Sequence, residues 1–280
     1  MNITHSQTGR SRLMLVAATS GAFALAAPSA QAAWSLLDNF DSYSAGPTTT
    51  ATGGSWTSVF DGTGNSNVVA SDKVLSLETK GGAAWRGAKK DITGTAGIAA
   101  GTTGTIFFQF KPSSAGGAFD VMMGLSPSIS TIDDSNAWQD FNVMPFFAGA
   151  GDGTADLKVT TPADGDINLI TDATLDVWYN VWLVVDNDLT APSFDVFTST
   201  GTAAGSFAGT GAYVNTGGAG LGIGQDLNAI GFMAAGGADS AVLHDNIYYT
   251  SGVDTTNPVP EPSVAILGGL GILGLLRRRR

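Results

Sequence analysis

The segment that most constrains the fold is residues 177–186, which reads VWYNVWLVVD. Side chains alternate between the two faces of a β-strand, so one face would carry Trp178, Asn180, Trp182 and Val184. The other face would carry Val177, Tyr179, Val181, Leu183 and Val185. A strand with apolar residues on both faces must be covered on both faces. The segment therefore predicts a central strand of a covered sheet.

The remainder of residues 34–258 has β-sheet patterning and essentially no helical periodicity. Short runs of Val, Ile, Phe, Tyr and Trp alternate with Gly, Thr, Ser and Asp, which is typical of many short strands joined by turns. Residues 105–111 alternate most clearly, with Ile106, Phe108 and Phe110 on one predicted face. We expect residues 119–125 to be the hairpin partner of this strand. Residues 201–220 contain few large apolar residues and are expected to form a long loop.

The amino-terminal 32 residues have the three regions of a secretory signal peptide. Residues 1–12 are polar and include two arginines, residues 13–27 are apolar or small, and Ala30-Gln31-Ala32 is an A-x-A cleavage site. We therefore expect a signal helix that signal peptidase removes. Export permits disulfides, but the chain has no cysteine, so its core alone must hold the fold unless a metal supplements it.

The carboxyl-terminal segment has three parts with different physical properties. Pro260-Glu261-Pro262 is rigid and non-helical, residues 263–276 are apolar or small, and Arg277–Arg280 is a block of positive charge. The apolar run would be roughly 21 Å long as a helix, which is short for a permanent membrane span. An ordinary tail anchor is the alternative interpretation. A buried core helix is disfavoured because four arginines end it.

This carboxyl-terminal arrangement resembles the PEP-CTERM sorting signal of Gram-negative bacteria. The resemblance covers residues 259–280 and is carried by the Val-Pro-Glu-Pro motif, the apolar run and the arginine tail. It implies that an exosortase recognises Pro260, Glu261 and Pro262 after transient insertion into the inner membrane. It also implies a cell-surface or extracellular location, often beside exopolysaccharide. It does not specify what the rest of the chain does.

The charge of the predicted mature chain excludes some partners. Six of the 13 basic residues lie in the two end segments, which leaves seven against 24 acidic residues and a net charge near −17. Such a chain is not expected to bind nucleic acid or an anionic membrane surface. Nearly all the acid is aspartate, which favours turns and also the loops where calcium binds.

Three segments together resemble the concanavalin A-like jelly roll, in particular laminin-G-like domains. They are Leu37-Asp38-Asn39-Phe40-Asp41-Ser42-Tyr43 near the start, residues 178–186 with their return strand 193–197, and His244-Asp245-Asn246-Ile247-Tyr248 near the end. The resemblance implies an all-β sandwich of two antiparallel sheets over residues 33–252, with the first and last strands as neighbours. Residues 253–259 would then be a linker to the sorting signal at 260–280.

Candidate binding residues follow from this resemblance and from residue chemistry. Related jelly rolls often hold a structural calcium where the chain ends meet, so Asp38, Asp41 and Asp245 are candidate Ca²⁺ ligands. The alternative is that these aspartates cap turns and keep strand edges soluble. Trp85 and Trp138 lie beside polar residues in less regular segments and are candidate glycan contacts, since indole faces stack on sugar rings.

Catalytic patterns are weak by comparison. His244 is the only histidine of the predicted mature chain, no cysteine exists, and no G-x-S-x-G elbow is present. The paired glutamates of laminarinase-like enzymes are missing, although two aspartates would serve in principle. We therefore predict a non-catalytic surface or matrix protein that is glycan-associated or structural in exopolysaccharide or biofilm. A polysaccharide-active hydrolase or lyase is the alternative.

Overall fold

The computed structural model describes residues 33–59, 67–69, 73–78, 85–115, 118–133, 137–161, 165–214, 221–237 and 240–259. The predicted signal peptide, the Pro260-Glu261-Pro262 motif and the apolar run lie outside these residues. Within the described ranges the chain forms sixteen strands and two single-turn helices, α1 (Thr48–Ala51) and a 3-10 turn (Ala137–Gln139).

The strands are numbered in chain order. They are β1 (Ser35–Asp38), β2 (Gly46–Pro47), β3 (Thr57–Val59), β4 (Asn67–Val69), β5 (Val74–Glu78), β6 (Arg86–Asp91), β7 (Thr103–Ala115), β8 (Ala118–Ser126), β9 (Pro145–Ala150), β10 (Ala155–Thr161), β11 (Gly165–Ala173), β12 (Tyr179–Asp186), β13 (Ser193–Thr200), β14 (Ser206–Ala212), β15 (Ala229–Gly236) and β16 (Ser240–Ser251).

These strands form two antiparallel sheets. The nine-stranded sheet has the order β14-β13-β12-β7-β16-β5-β4-β2, and β1 pairs with β16 beside that path. The seven-stranded sheet has the order β11-β10-β9-β8-β15-β6-β3. The all-β, two-sheet prediction is therefore confirmed, as is the expectation that the first and last strands are neighbours.

The core lies between the sheets and follows from strand alternation. Ile106, Phe108 and Phe110 of β7 are fully buried there, as the period of two predicts. Val181, Leu183 and Val185 of β12 join them, and Phe232 of β15 packs edge-on against Phe108 from the opposite sheet. β12, which occupies residues 179–186 of the predicted segment, is thus covered on its inner face by the second sheet. On its outer face Trp182 is also fully buried, as the sequence predicts.

One predicted hairpin is wrong. Residues 119–125 do form β8, but β8 pairs with β15 and β9 in the seven-stranded sheet, whereas β7 pairs with β12 and β16 in the other. Two strands that follow each other in sequence can belong to different sheets of a sandwich, and each then contributes its inward residues to the core between the sheets. Inward residues of β7 and β8 therefore face each other across the core instead of lying side by side.

The predicted long loop at 201–220 is also partly wrong. Its middle forms β14, which pairs with β13 along Ser193–Thr198. Phe207 is the one large apolar residue of β14, so its own pattern gives no strand signal. Backbone hydrogen bonds to β13 determine this edge strand instead.

No helix among the described residues is long and apolar enough to span a bilayer.

Candidate functional site

A row of aromatic side chains crosses the outer face of the nine-stranded sheet. Phe207, Phe197, Trp182, Phe107 and Tyr248 are successive register partners on β14, β13, β12, β7 and β16. Three of the four neighbouring pairs have edge-on rings, with centroids 5.6 Å apart for Phe207 and Phe197, 5.0 Å for Trp182 and Phe107, and 6.0 Å for Phe107 and Tyr248. We call these five residues the aromatic row.

Only parts of the aromatic row are open to a ligand. Trp182 and Phe107 are fully buried, whereas Phe207 is 61% exposed at the sheet edge. At the other end Tyr248 is half-buried, and the half-buried Trp34 packs edge-on against Phe107 at 6.3 Å. Two partly exposed rings, Trp34 and Tyr248, therefore both contact the buried Phe107.

Polar side chains form a second row beside the aromatic one. Asn246 donates from Nδ2 to Gln109 Oε1 at 2.7 Å, and Gln109 donates from Nε2 to Asn180 Oδ1 at 2.8 Å. Asn180 donates in turn to Ser199 Oγ at 3.2 Å and to the Gly201 carbonyl at 2.6 Å. We call Asn246, Gln109 and Asn180 the amide row. Its mutual hydrogen bonds hold the amide planes in defined orientations.

A β-bulge in β16 produces this arrangement. The pairing of β16 with β7 shifts between Asp245 and Tyr248, and Asn246 adopts a left-handed conformation with φ of 50°. Asparagine tolerates that region better than most residues. The bulge brings both Asp245 and Asn246 to the outer face, where Asn246 Nδ2 also donates to Asp245 Oδ2 at 3.0 Å. Bulges commonly re-aim side chains at functional sites.

Asp38 is the most fully engaged of the three predicted calcium ligands. Its Oδ2 accepts hydrogen bonds from Trp56 Nε1 at 2.8 Å and Tyr43 Oη at 2.9 Å, and lies 3.2 Å from Lys90 Nζ. Its Oδ1 accepts the Phe40 amide at 3.0 Å. Asp38 is 8% exposed, and both of its carboxylate oxygens accept hydrogen bonds from protein donors. Asp38 thus connects the first strand to Tyr43, Trp56 and Lys90.

Asp41 and Asp245 accept fewer hydrogen bonds than Asp38, and those of the half-buried Asp245 come from the Asn246 amide at 2.7 Å and from Asn246 Nδ2 at 3.0 Å. Asp41 is exposed and accepts Asn39 Nδ2 at 2.8 Å. Burial raises the pKa of the Asp245 carboxyl to about 7, and the charges of Asp41 and Asp38 add to that rise. The pairing of β1 with β16 therefore brings the three aspartates within electrostatic range of one another, as expected from the joined chain ends.

The hydrogen bonds of Asp38 limit which oxygens could bind a calcium ion here. No group of three or more His, Cys, Asp or Glu in the described part of the chain is arranged to hold a metal ion. Because Asp38 is engaged by its own donors, a calcium ion here would rest on Asp41, Asp245 and backbone carbonyls. The calcium site stays a prediction.

The two tryptophans predicted as glycan contacts lie on the outer side of the seven-stranded sheet. Trp85 is 7% exposed and packs edge-on under Trp138 at 5.9 Å, while Trp138 is half-buried and contacts Phe146 at 4.9 Å. Trp138 is thus the accessible ring of the pair, and Trp85 supports it. Their role as glycan contacts stays a prediction.

The segment between β8 and β9 covers part of that same face. Phe141, fully buried, lies over two glycines of neighbouring strands, Gly124 and Gly231. A Cβ atom on Gly124 would come 2.2 Å from Phe141 Cγ, so only glycine allows the ring to lie this close to the sheet.

Two carboxylates share a row on the outer face of the seven-stranded sheet. Asp120 of β8 and Asp156 of β10 are both register partners of Ala148 on β9, so they point to the same face. Two strand spacings put their backbone positions about 9–10 Å apart. Asp156 accepts hydrogen bonds from Asn168 Nδ2 and from the Asp172 amide, each at 2.9 Å. Burial raises the pKa of Asp120, while the Lys158 charge opposes that rise. The sequence did not reveal this pair, because its formation depends on the register of three strands.

His244 lies in the core between the sheets. It is fully buried, with its ring centroid 4.5 Å from that of Phe232 and 6.2 Å from that of Phe108. Among the residues that the structure describes, neither ring nitrogen has a hydrogen-bond partner, and burial lowers the pKa of the imidazole to about 3. A neutral histidine held there is a core residue, remote from the solvent-facing rows.

No protein-family model matches the chain, and no curated protein matches it in sequence. Solved structures similar to it include a lectin, UEA-II, complexed with galactose, at 12% identity over 79% of this chain and 98% of the lectin, with a TM-score of 0.44. An alginate lyase from Alteromonas sp. 272 is 14% identical over 75% of this chain and all of the lyase (100%), with a TM-score of 0.41. The potassium-bound carbohydrate recognition domain of Emp46p is 13% identical, covering 78% and 97%, with a TM-score of 0.40. The fold assignment itself rests on the two sheets and their strand order.

Proposed function

We propose that this protein is exported, sorted by an exosortase to the cell surface or extracellular matrix, and associates there with glycan without catalysing a reaction. The signal peptide and the Pro260-Glu261-Pro262 segment support export and sorting. One geometric observation supports glycan association, namely that the partly exposed rings of Trp34 and Tyr248 both contact Phe107, two residues before Gln109 in β7, whose amide is hydrogen-bonded to Asn246.

This combination suits a sugar. Aromatic faces pack on the apolar C–H faces of a pyranose ring, and planar amides exchange hydrogen bonds with its hydroxyls. Asp245, beside Asn246, adds an acceptor that titrates near neutral pH. The large negative charge of the domain favours a neutral glycan, or an acidic one bridged by calcium. Trp138 on the opposite sheet is a second contact of the same chemical kind.

The test is retention on the exopolysaccharide of the source organism. The full chain, purified in mild detergent, would be co-sedimented with the polysaccharide, with calcium and with a chelator. Tyr248→Ala should weaken retention about tenfold, the scale of one lost aromatic contact. Phe207→Ala is the matched control, because it removes a more exposed ring from the far end of the same aromatic row. Equal retention of wild type and Tyr248→Ala overturns this site, and loss with Trp138→Ala alone moves it to the other sheet.

A specific observation favours one alternative, a polysaccharide-active enzyme. Asp120 and Asp156 lie on one face two strands apart, and side chains at that backbone spacing could bring their carboxyls within the about 6.5–9.5 Å found in inverting glycosidases. Asp120 also has the raised pKa that a general acid needs. Release of smaller sugars by wild type, abolished by Asp120→Asn and by Asp156→Asn, would establish the enzyme. Retention without release supports the non-catalytic proposal.

A further inference from the structure

The segment after β16 is bound across the outer face of the nine-stranded sheet. The Gly252 amide donates to the Thr103 carbonyl at 2.9 Å, and Thr105 Oγ1 donates to the Gly252 carbonyl at 2.6 Å. Farther along, the Gly205 amide donates to the Thr255 carbonyl at 2.9 Å, and Trp182 Nε1 donates to the Thr256 carbonyl at 3.0 Å. We call residues 252–259 the C-terminal strap.

Side chains of the strap add to this attachment. Asp254, 6% exposed, accepts hydrogen bonds from the Thr256 amide at 2.8 Å and from Thr256 Oγ1 at 2.7 Å. Trp34 Nε1 reaches the same Oγ1 at 3.2 Å, and Asn257 Nδ2 donates to the Gly201 carbonyl at 3.2 Å. The segment that the sequence predicts as a linker is thus hydrogen-bonded to the domain up to Asn257.

The docked strap leaves little chain before the predicted membrane segment. Ser263, where the apolar run begins, is four residues beyond Val259. Four extended residues span at most about 14 Å. The headgroup layer on one side of a bilayer is itself about 5–7 Å thick. With the strap docked, the aromatic row would therefore be held almost against the membrane surface.

The negative charge of the domain opposes a position close to an anionic membrane surface. The chain from residue 33 to Glu261 has a net charge near −17, because seven basic residues face 24 acidic ones. Anionic headgroups repel such a domain. Lifting the eight residues of the strap adds about 26 Å of reach, which is more than two Debye lengths at physiological salt. The attachments of the strap to the sheet are hydrogen bonds, and its one branched aliphatic residue before Val259, Val253, is 70% exposed, so its detachment uncovers little apolar surface of the strap itself.

We propose that the C-terminal strap is a retractable tether. It lifts from the sheet while the chain is anchored, so that the Pro260-Glu261-Pro262 motif reaches its processing enzyme, and it docks again after release to hold the new chain end on the domain. This inference rests on the proposed sorting. It adds that folding of the strap onto Trp182 competes with processing.

The test uses the full chain in its source organism and in purified form. Trp182→Phe keeps an aromatic ring in the row but removes the donor to the Thr256 carbonyl. Trp178→Phe is the matched control, because Trp178 is a half-buried tryptophan that packs under Lys111 and not under the strap. Two quantities would be measured, the rate of processing from the mass of the chain and the hydrogen exchange of the Gly205 amide.

We expect Trp182→Phe to be processed about fivefold faster than wild type and to exchange the Gly205 amide about fivefold faster, the scale of one hydrogen bond of about 1 kcal/mol. Trp178→Phe should match wild type in both. If Trp182→Phe is too unstable to isolate, Thr256→Ala tests the strap without touching the aromatic row. Faster exchange with unchanged processing overturns the tether. Absence of processing in wild type overturns the sorting proposal instead, while protection of the Gly205 amide still reports on the strap.

Discussion

The indole of Trp56, which is fully buried, donates a hydrogen bond at 2.8 Å to the carboxylate of Asp38, which is 8% exposed. Asp38 ends β1 and Trp56 precedes β3, so this bond joins the two sheets near the start of the domain. Lys90 of β6 completes the arrangement, with its ammonium 3.2 Å from Asp38 Oδ2 and 5.3 Å from the Trp56 ring.

Removing the carboxylate should therefore destabilise the fold. Asp38→Ala leaves Trp56 Nε1 and the Lys90 ammonium without their acceptor, and we expect a loss of about 3 kcal/mol in the free energy of unfolding. Asp41→Ala, three residues on and exposed, should change it by less than about 0.5 kcal/mol. Urea denaturation of the two variants measures the difference. Similar stability in both would contradict the role of Asp38 as a buried acceptor.

His244 predicts a loss of stability in acid. Its pKa falls from 6.5 to about 3 on folding because it is buried, so between these values only the unfolded chain binds the proton. Stability should therefore fall as pH drops below 6.5, by about 3 kcal/mol at pH 4. His244→Leu removes the titrating group and should flatten this part of the profile. Urea denaturation midpoints of wild type and His244→Leu, measured from pH 7 to pH 4, test this prediction. Midpoints that fall in parallel for the two proteins would contradict it.

Asp245 should act in the opposite direction. Burial and the charges of Asp41 and Asp38 raise its pKa from 3.8 to about 7, so the folded state retains a proton that the unfolded state has lost. This term weakens the fold as pH rises from 3.8 through 7. Asp245→Asn should consequently melt higher than wild type at pH 8 and at about the same temperature at pH 3.5. A lower melting temperature at pH 8 would mean that the charged carboxylate is stabilising, as a bound cation would make it.

Binding of a calcium ion near Asp41 and Asp245 should change the thermal stability of the protein. Calcium at the Asp41 and Asp245 carboxylates would neutralise their repulsion, so millimolar calcium should raise the melting temperature of the wild-type chain and a chelator should reverse the rise. The shift should vanish in Asp245→Asn. Magnesium is the control, because it prefers a smaller octahedral site. Identical melting with calcium, magnesium and chelator would eliminate the calcium site.

The sequence by itself determined the elements whose chemistry is local. Alternation in residues 105–111 and 177–186 is enough to predict two strands and their faces, since the strand period depends only on backbone geometry. The motifs at Asp38–Tyr43 and His244–Tyr248 predicted neighbouring chain ends, which the pairing of β1 with β16 confirms. The aspartates near those ends were found for the same reason.

The tertiary structure decided everything that depends on register and sheet choice. β8 could not be assigned to its sheet from sequence, because an inward face looks the same in either sheet. β14 has almost no apolar pattern and exists through its hydrogen bonds to β13. The aromatic row, the amide row and the Asp120–Asp156 pair each join residues from different strands. The sequence predicts a linker at residues 253–259 because the attachment of this segment relies on donors from Trp182, Gly205 and Trp34, all distant in sequence. Local pattern encodes the strands, but long-range hydrogen bonds and strand register place their side chains together.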